Sequence, residues 1–204
     1  TTLAVWEYFR KLNEISRLLV ICPRSAFEAW KEEPSVVLSE PVVINQFTEN
    51  PIPSDTDILF VNYEQLENSG RLDRLIKWVS QLPTMLVIDE AHRIKGGASS
   101  VRWRACLELS NRVVRVDLLT GTPMPQSQDD LKNLFGLSWQ GIPRYFFTDE
   151  RLTKLKRGGV FVRTTKEELA LPPMRIETVE LPMSDVQGEI YLALKRSFIG
   201  KFGM

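Results

Sequence analysis

Met85-Leu86-Val87-Ile88-Asp89-Glu90-Ala91-His92 is the stretch that decides the fold. Four apolar residues run without interruption into two carboxylates. A continuous apolar run of this length fits a strand buried on both faces, as parallel sheets require. Open α/β sheets place their ligand sites just outside the carboxyl ends of such strands. The acidic pair therefore stands where chemistry is expected. A plain turn after a strand would also account for two acidic residues, so context has to decide.

Working outward, the same pattern recurs. Leu18-Leu19-Val20-Ile21-Cys22 is a buried-strand run closed by Pro23, and Ile58-Leu59-Phe60-Val61 is another, ending at Asn62-Tyr63. Val113 to Leu119 reads as a further strand ending at Thr120-Gly121. Helical spacing separates these runs. It appears at Leu3, Trp6 and Phe9, at Phe27 and Trp30, at Leu72, Leu75, Ile76 and Val79, and near Ser100–Leu109. Ser25 with Glu28 predicts a capping box for the second helix. Val36 to Ile44 reads as one or two short strands, and Asn50 to Asp57 as a loop. Strands alternating with helices predict a three-layer α/β lobe with a mostly parallel sheet. Beyond Gln128 the pattern loosens. A helix is expected around Leu131, Leu134 and Phe135, a break at Leu171-Pro172-Pro173, a strand over Arg175–Leu181 and a helix over Asp185–Leu194.

Composition narrows the class. The 204 residues carry 26 basic and 26 acidic side chains, so formal net charge is zero. A dedicated nucleic-acid module is usually basic, so any such contact must use a local patch or a cleft shared with another lobe. No apolar run approaches the roughly 20 residues of a membrane span, and no secretory signal is expected. Two scattered cysteines, Cys22 and Cys106, and one histidine argue against a disulfide framework and against structural zinc. A reducing cytoplasm is the simplest setting.

A hard cation such as magnesium takes oxygen ligands and keeps several waters. Asp89 at a strand end suits that role, and Glu90 beside it suits a general base acting on water. Leu118-Leu119-Thr120-Gly121-Thr122-Pro123 ends another strand with two hydroxyls around a glycine. Thr120 and Thr122 can hydrogen-bond to neighbours, His92 among them. Taken alone, Thr-Gly-Thr-Pro is ordinary turn chemistry.

Together, Asp89-Glu90-Ala91-His92 followed by Leu119-Thr120-Gly121-Thr122-Pro123 resembles motifs II and III of superfamily-two helicases, in the Swi/Snf-like form. Leu19-Val20-Ile21-Cys22-Pro23-Arg24-Ser25 with Trp30 is similar to that family's motif Ia, and Val61-Asn62-Tyr63-Glu64-Gln65-Leu66 to its next motif. Arg163-Thr164-Thr165-Lys166, Leu171-Pro172-Pro173 and Gln187 with Tyr191 resemble the end of its first lobe.

The resemblance implies a RecA-like ATPase lobe over residues 1–168, with 169–204 ending that lobe or leading to a second one. It implies ATP and Mg2+ as cofactors, with Asp89 organising the metal, directly or through water, and Glu90 activating water. His92, Thr120, Gly121 and Thr122 would couple this site to a nucleic-acid track at Pro23, Arg24, Ser25, Asn62 and Tyr63. Double-stranded DNA would be the track, held by its phosphates with little sequence preference. The implied compartment is the nucleoid or the nucleus. The family's phosphate-binding loop is not found, and Thr1–Leu12 is similar to the helix that follows it, so this chain alone is expected to hydrolyse ATP barely. Met124-Pro125-Gln126 looks more like bacterial and phage relatives than like eukaryotic remodellers. An RNA helicase and a non-catalytic DNA- or partner-binding lobe are the alternatives.

Overall fold

The computed structural model describes residues 1–94, 96–121, 128–142, 144–158, 162, 168, 177–179 and 181–202. Its described residues fall into two compact units, Thr1–Phe161 and Val162–Met204.

The first unit is built on five parallel strands: β1 (Arg17–Ile21), β2 (Ile44–Gln46), β3 (Ile58–Val61), β4 (Thr84–Asp89) and β5 (Arg115–Leu119), in the spatial order β2-β3-β1-β4-β5. The three apolar runs form β1, β3 and β4, and Leu18 to Cys22, Ile58 to Val61 and Met85 to Ile88 are all buried. Alternation explains why a continuous run is needed. Leu19, Ile21, Leu59, Val61, Leu86 and Ile88 face one core, whereas Leu18, Val20, Cys22, Ile58, Phe60, Met85 and Val87 face another. A polar residue at any of these positions would be buried whichever way it pointed.

Helices cover both faces. α1 (Thr2–Lys11) and α2 (Phe27–Val37) close one core with Leu3, Trp6, Phe27 and Trp30. The rings of Phe27 and Phe60 meet edge-on at 4.9 Å. α3 (Ser69–Val79), α4 (Val101–Ser110) and α5 (Gln128–Ser138) close the other with Leu75, Trp78, Ala105, Leu109 and Leu134. The outer face of α5 builds a small third cluster with α6 (Asp149–Arg157), where Phe135 stacks on Trp139 at 5.1 Å. Among the described residues β5 pairs only with β4, and its residues are all half-buried.

Two expectations fail near α2. Ser25 makes no cap: a 3-10 turn over Arg24–Ala26 leads into the helix, and Ala26 is the residue before it, with no side-chain cap. Val36 to Ile44 is not strand at its start. The helix runs through a buried Pro34 as far as Val37, and only Ile44–Gln46 joins the sheet. Proline inside a helix loses a hydrogen bond and crowds the preceding turn. Here it stands in the last turn, where the Leu38 N–H still reaches the Pro34 carbonyl at 2.9 Å. By contrast, Ser100 does cap α4, accepting from the Trp103 N–H at 3.3 Å.

In the second unit, α7 (Asp185–Phe202) extends well beyond the expected Leu194. The expected strand over Arg175–Leu181 lies partly outside the described residues. Those of it that are described, 177–179 and 181, have no regular structure.

One polar anchor holds the amino-terminal edge of the sheet. Arg17 is only 6% exposed. It donates to the Trp78 carbonyl at 3.1 Å, the Ser54 carbonyl at 3.1 Å and Gln81 Oε1 at 3.2 Å, and its guanidinium lies 4.7 Å from the Trp78 ring centre. Burial lowers its pKa from the usual arginine value. Replacing it leaves several acceptors without their donor, and a charge-assisted hydrogen bond contributes about 1.5–3 kcal/mol. Arg17→Leu should destabilise the fold by about 2–3 kcal/mol in urea unfolding. A loss below about 0.5 kcal/mol would show that the anchor is not formed in solution.

Candidate functional site

The carboxyl ends of β1, β3, β4 and β5 meet at one edge, and the acidic pair sits at its middle. Asp89 is the last residue of β4 and pairs with Leu119 at the end of β5. Both of its carboxylate oxygens are engaged. Oδ1 accepts from the Glu90 N–H at 3.0 Å, and Oδ2 accepts from the indole Nε1–H of Trp30 at 3.0 Å. The Asp89 carbonyl accepts from the hydroxyl of Tyr63.

Glu90 then leaves the strand in the left-handed region, with φ +54°. A non-glycine residue pays roughly 1–2 kcal/mol for this conformation. Such strain survives only where its surroundings enforce it, and it concentrates at working sites. The turn carries Glu90 Oε2 to within 3.1 Å of His92 Nδ1. The same ring nitrogen lies 3.2 Å from Thr120 Oγ1. His92 therefore bridges the end of β4 and the end of β5. The Glu90 side chain is 45% exposed, which leaves its carboxylate open to water.

The expected track residues divide in two. Pro23 is buried and opens the 3-10 turn that presents Arg24 and Ser25, both exposed, at the strand-end edge. Asn62 and Tyr63 are buried at the end of β3. Asn62 caps its own turn in a reciprocal pair with Gln65, each bond at 3.0 Å. Tyr63 reaches inward to Asp89. In this structure Tyr63 supports the site from within, and Asn62 caps the turn that carries it. Gly121 is exposed at the end of β5, whereas Thr122 lies outside the described residues, as do Met124-Pro125-Gln126 and Arg163-Thr164-Thr165-Lys166.

Trp30 is the residue whose part in the site the sequence did not reveal. Its spacing marked it as a core residue of α2, and it is half-buried there. Its bond to a carboxylate 59 positions away has no local signature. Trp30 also lines an open pocket of about 220 Å3 with Thr1, Leu3, Glu33 and Leu119.

Electrostatics at this edge follow burial. The Cys22 thiol is pushed up to about 12, first by burial and then by the neighbouring Asp89 charge. Burial raises Tyr63 above the usual phenol range, with Cys106, Asp89 and Cys22 adding to the shift. Cys106 rises to about 12 through burial alone.

A five-stranded parallel lobe with an acid pair, a histidine and a threonine on its carboxyl edge is a RecA-like ATPase lobe in architecture. Residues 1–142 match the SNF2-related domain, and the chain belongs to that family. It is 24% identical over 206 aligned residues to Protein CHROMATIN REMODELING 19 of Arabidopsis thaliana, covering 90% of this chain and 25% of that protein. Among solved structures it is similar to the Sulfolobus solfataricus SWI2/SNF2 ATPase core in complex with dsDNA, at 29% identity and TM-score 0.57, over 77% of this chain and 32% of that one. The Sulfolobus solfataricus SWI2/SNF2 ATPase core domain is 26% identical with TM-score 0.59, over 98% of this chain and 44% of that one. The chain thus spans between a quarter and under half the length of these relatives.

Two outcomes follow from the geometry. Glu90→Gly relieves the left-handed strain, so it should leave stability unchanged or raise it by up to about 1 kcal/mol. A loss above about 1 kcal/mol in thermal unfolding would show that Glu90 is not held in that conformation. The thiols give a pH dependence. Each ordinarily ionises near 9.0 and, when folded, near 12. Below the lower value both states keep the proton and nothing changes. As pH rises from about 9 toward 12 the unfolded chain loses protons first, so stability falls. At pH 8 neither cysteine should react with iodoacetamide until the protein is unfolded, and rapid alkylation of the native chain would contradict the burial.

Proposed function

We propose that this chain is part of an ATP-driven motor that moves along double-stranded DNA, with residues 1–168 forming its first RecA-like lobe. The observation that carries the reading is the contact chain Glu90–His92–Thr120, which ties the candidate base to the end of a second strand. Such a link lets events at one strand end be felt at another.

The donor set suits a nucleotide-bound magnesium. Mg2+ is commonly held by one or two protein carboxylates, with phosphates and water completing its shell. No cluster of three or more acidic, histidine or cysteine ligands occurs among the described residues, so an all-protein cage is not what these residues offer. A carboxylate can accept at about four positions, so Asp89 keeps capacity on both oxygens beyond its two bonds. When bound, magnesium supplies charge neutralisation across the phosphates. Asp89 orients the nucleotide toward the edge. Glu90, solvent-accessible and one residue on, orients a water and accepts its proton as that water attacks. His92 holds Glu90 in place and relays its position to Thr120. Thr122 completes the coupling pair on this reading.

Arg24 and Ser25, exposed on the turn before α2, would meet the phosphates on this reading. Backbone contacts position a protein on DNA without reading its bases, so duplex of any sequence should serve. With zero net charge overall, a firm grip needs a second RecA-like lobe to complete the cleft. One of the similar Sulfolobus solfataricus cores is in complex with dsDNA, which supports this choice of track. No described helix is long and apolar enough to cross a membrane. The motor would work where duplex DNA lies, in a nucleoid or a nucleus.

The test is phosphate release by the full natural polypeptide that carries this chain, with duplex DNA, single-stranded DNA, RNA or no nucleic acid. Stimulation should be strongest with duplex DNA. Glu90→Gln should lower the stimulated rate by about 10²–10⁴-fold, the usual contribution of a general base. Stimulation by RNA alone would point to an RNA helicase. A folded protein that no nucleic acid stimulates would leave a binding lobe as the better account.

A further inference from the structure

We infer that Trp30 is a positioning residue for the Asp89 carboxylate, setting the affinity of the nucleotide site for its divalent cation. The inference rests on the proposal that Asp89 holds that cation, and it adds a residue from a different element to the site. The indole Nε1–H lies 3.0 Å from Asp89 Oδ2. Oδ1 is fixed independently by the Glu90 N–H. Rotation about the bond that carries an aspartate carboxylate is soft, with a broad two-fold profile. One hydrogen bond on each oxygen removes that freedom and fixes which lone pairs face the strand-end edge. Packing supplies the rigidity, because α2 seats the indole against the core shared by β1, β3 and β4. A tryptophan also brings a donor with no acceptor of its own. It can hold a carboxylate but cannot itself take a place in a metal's shell.

Hydrogen-bonding partners of metal-binding carboxylates matter to a site at a known scale: losing one typically costs about 10–100-fold in metal affinity. Trp30→Phe keeps an aromatic ring in the core and removes the N–H. In the full natural polypeptide it should raise the Mg2+ concentration for half-maximal ATP hydrolysis by about 10-fold or more. The rate at saturating Mg2+ should stay within about threefold of the unaltered protein, because the water-activating carboxylate is untouched. A residue that only fills space would lower the rate without changing the Mg2+ dependence. That pattern, or an unchanged half-saturation point, overturns the inference.

A second measurement does not depend on turnover. In protein labelled with 5-fluorotryptophan, the Trp30 fluorine resonance is identified by its loss in Trp30→Phe. Asp89→Ala should shift that resonance and leave those of Trp103 and Trp139 in place. Mg2+ with ADP should move it in the unaltered protein and not in Asp89→Ala. Should the unaltered protein fail to hydrolyse ATP, the motor reading falls, and the resonance alone judges Trp30. A Trp30 resonance indifferent to Asp89→Ala would overturn the pairing itself.

Discussion

The carboxyl edge of this lobe depends on how the chain leaves β4. The peptide group joining Asp89 to Glu90 is held on one side by the Tyr63 hydroxyl, which takes its carbonyl, and on the other by Asp89's own carboxylate, which takes its N–H. With that peptide fixed, Glu90 turns into the left-handed region and its side chain meets His92 instead of continuing along the strand. Each support comes from a different strand end or helix: Tyr63 follows β3, Trp30 rides on α2 and Thr120 follows β5. The acid pair is therefore placed by the whole parallel sheet, and no local turn could place it alone.

This accounts for what sequence could and could not reveal. β1, β3 and β4 stand where the apolar runs stand, because a strand buried on two faces leaves its mark at every residue. The contact of His92 with Thr120 was open to reading as well, since each residue lay at the end of an expected strand. Trp30 was visible as an apolar position and as part of the motif Ia resemblance, but its bond to Asp89 was not. Its indole N–H is polar, but periodicity counts the side chain as core, and its partner is set by helix packing. Asn62 and Tyr63 read naturally as strand-end residues near a track, yet burial turned both inward, one to cap a turn and one to reach Asp89. The misreading of Val36 and Val37 has a similar cause. Two β-branched residues after a proline favour extended chain by propensity, and the packing of α2 with a buried Pro34 overrode it.

Charge and burial divide the edge into two regions. Close to β4 the groups are buried or half-buried, and burial raises the Cys22 thiol and the Tyr63 phenol. A few residues away, Arg24 and Ser25 are exposed on the turn before α2. That one segment carries both an exposed cation and, further along α2, the indole bonded to Asp89. Because α2 packs as a unit against the sheet, a displacement of its leading turn is not independent of Trp30. Phosphate contacts in water are weak singly and screened by salt, so on the proposed motor reading this rigid connection would matter more than the strength of any one contact.

The strain at Glu90 fits the same logic. A left-handed glutamate lowers stability by an amount that a domain of ordinary stability, about 5–15 kcal/mol, can carry. It is located where the most deeply buried elements of the molecule end, so the surrounding sheet holds it without local unfolding. Glycine at this position would fold at least as well and would lack the carboxylate. Asparagine would tolerate the backbone and place a neutral amide beside His92. Glutamate is the costlier choice for folding, and on the proposed reading its presence there is explained by a water-accessible carboxylate beside His92 and the strand-end Asp89.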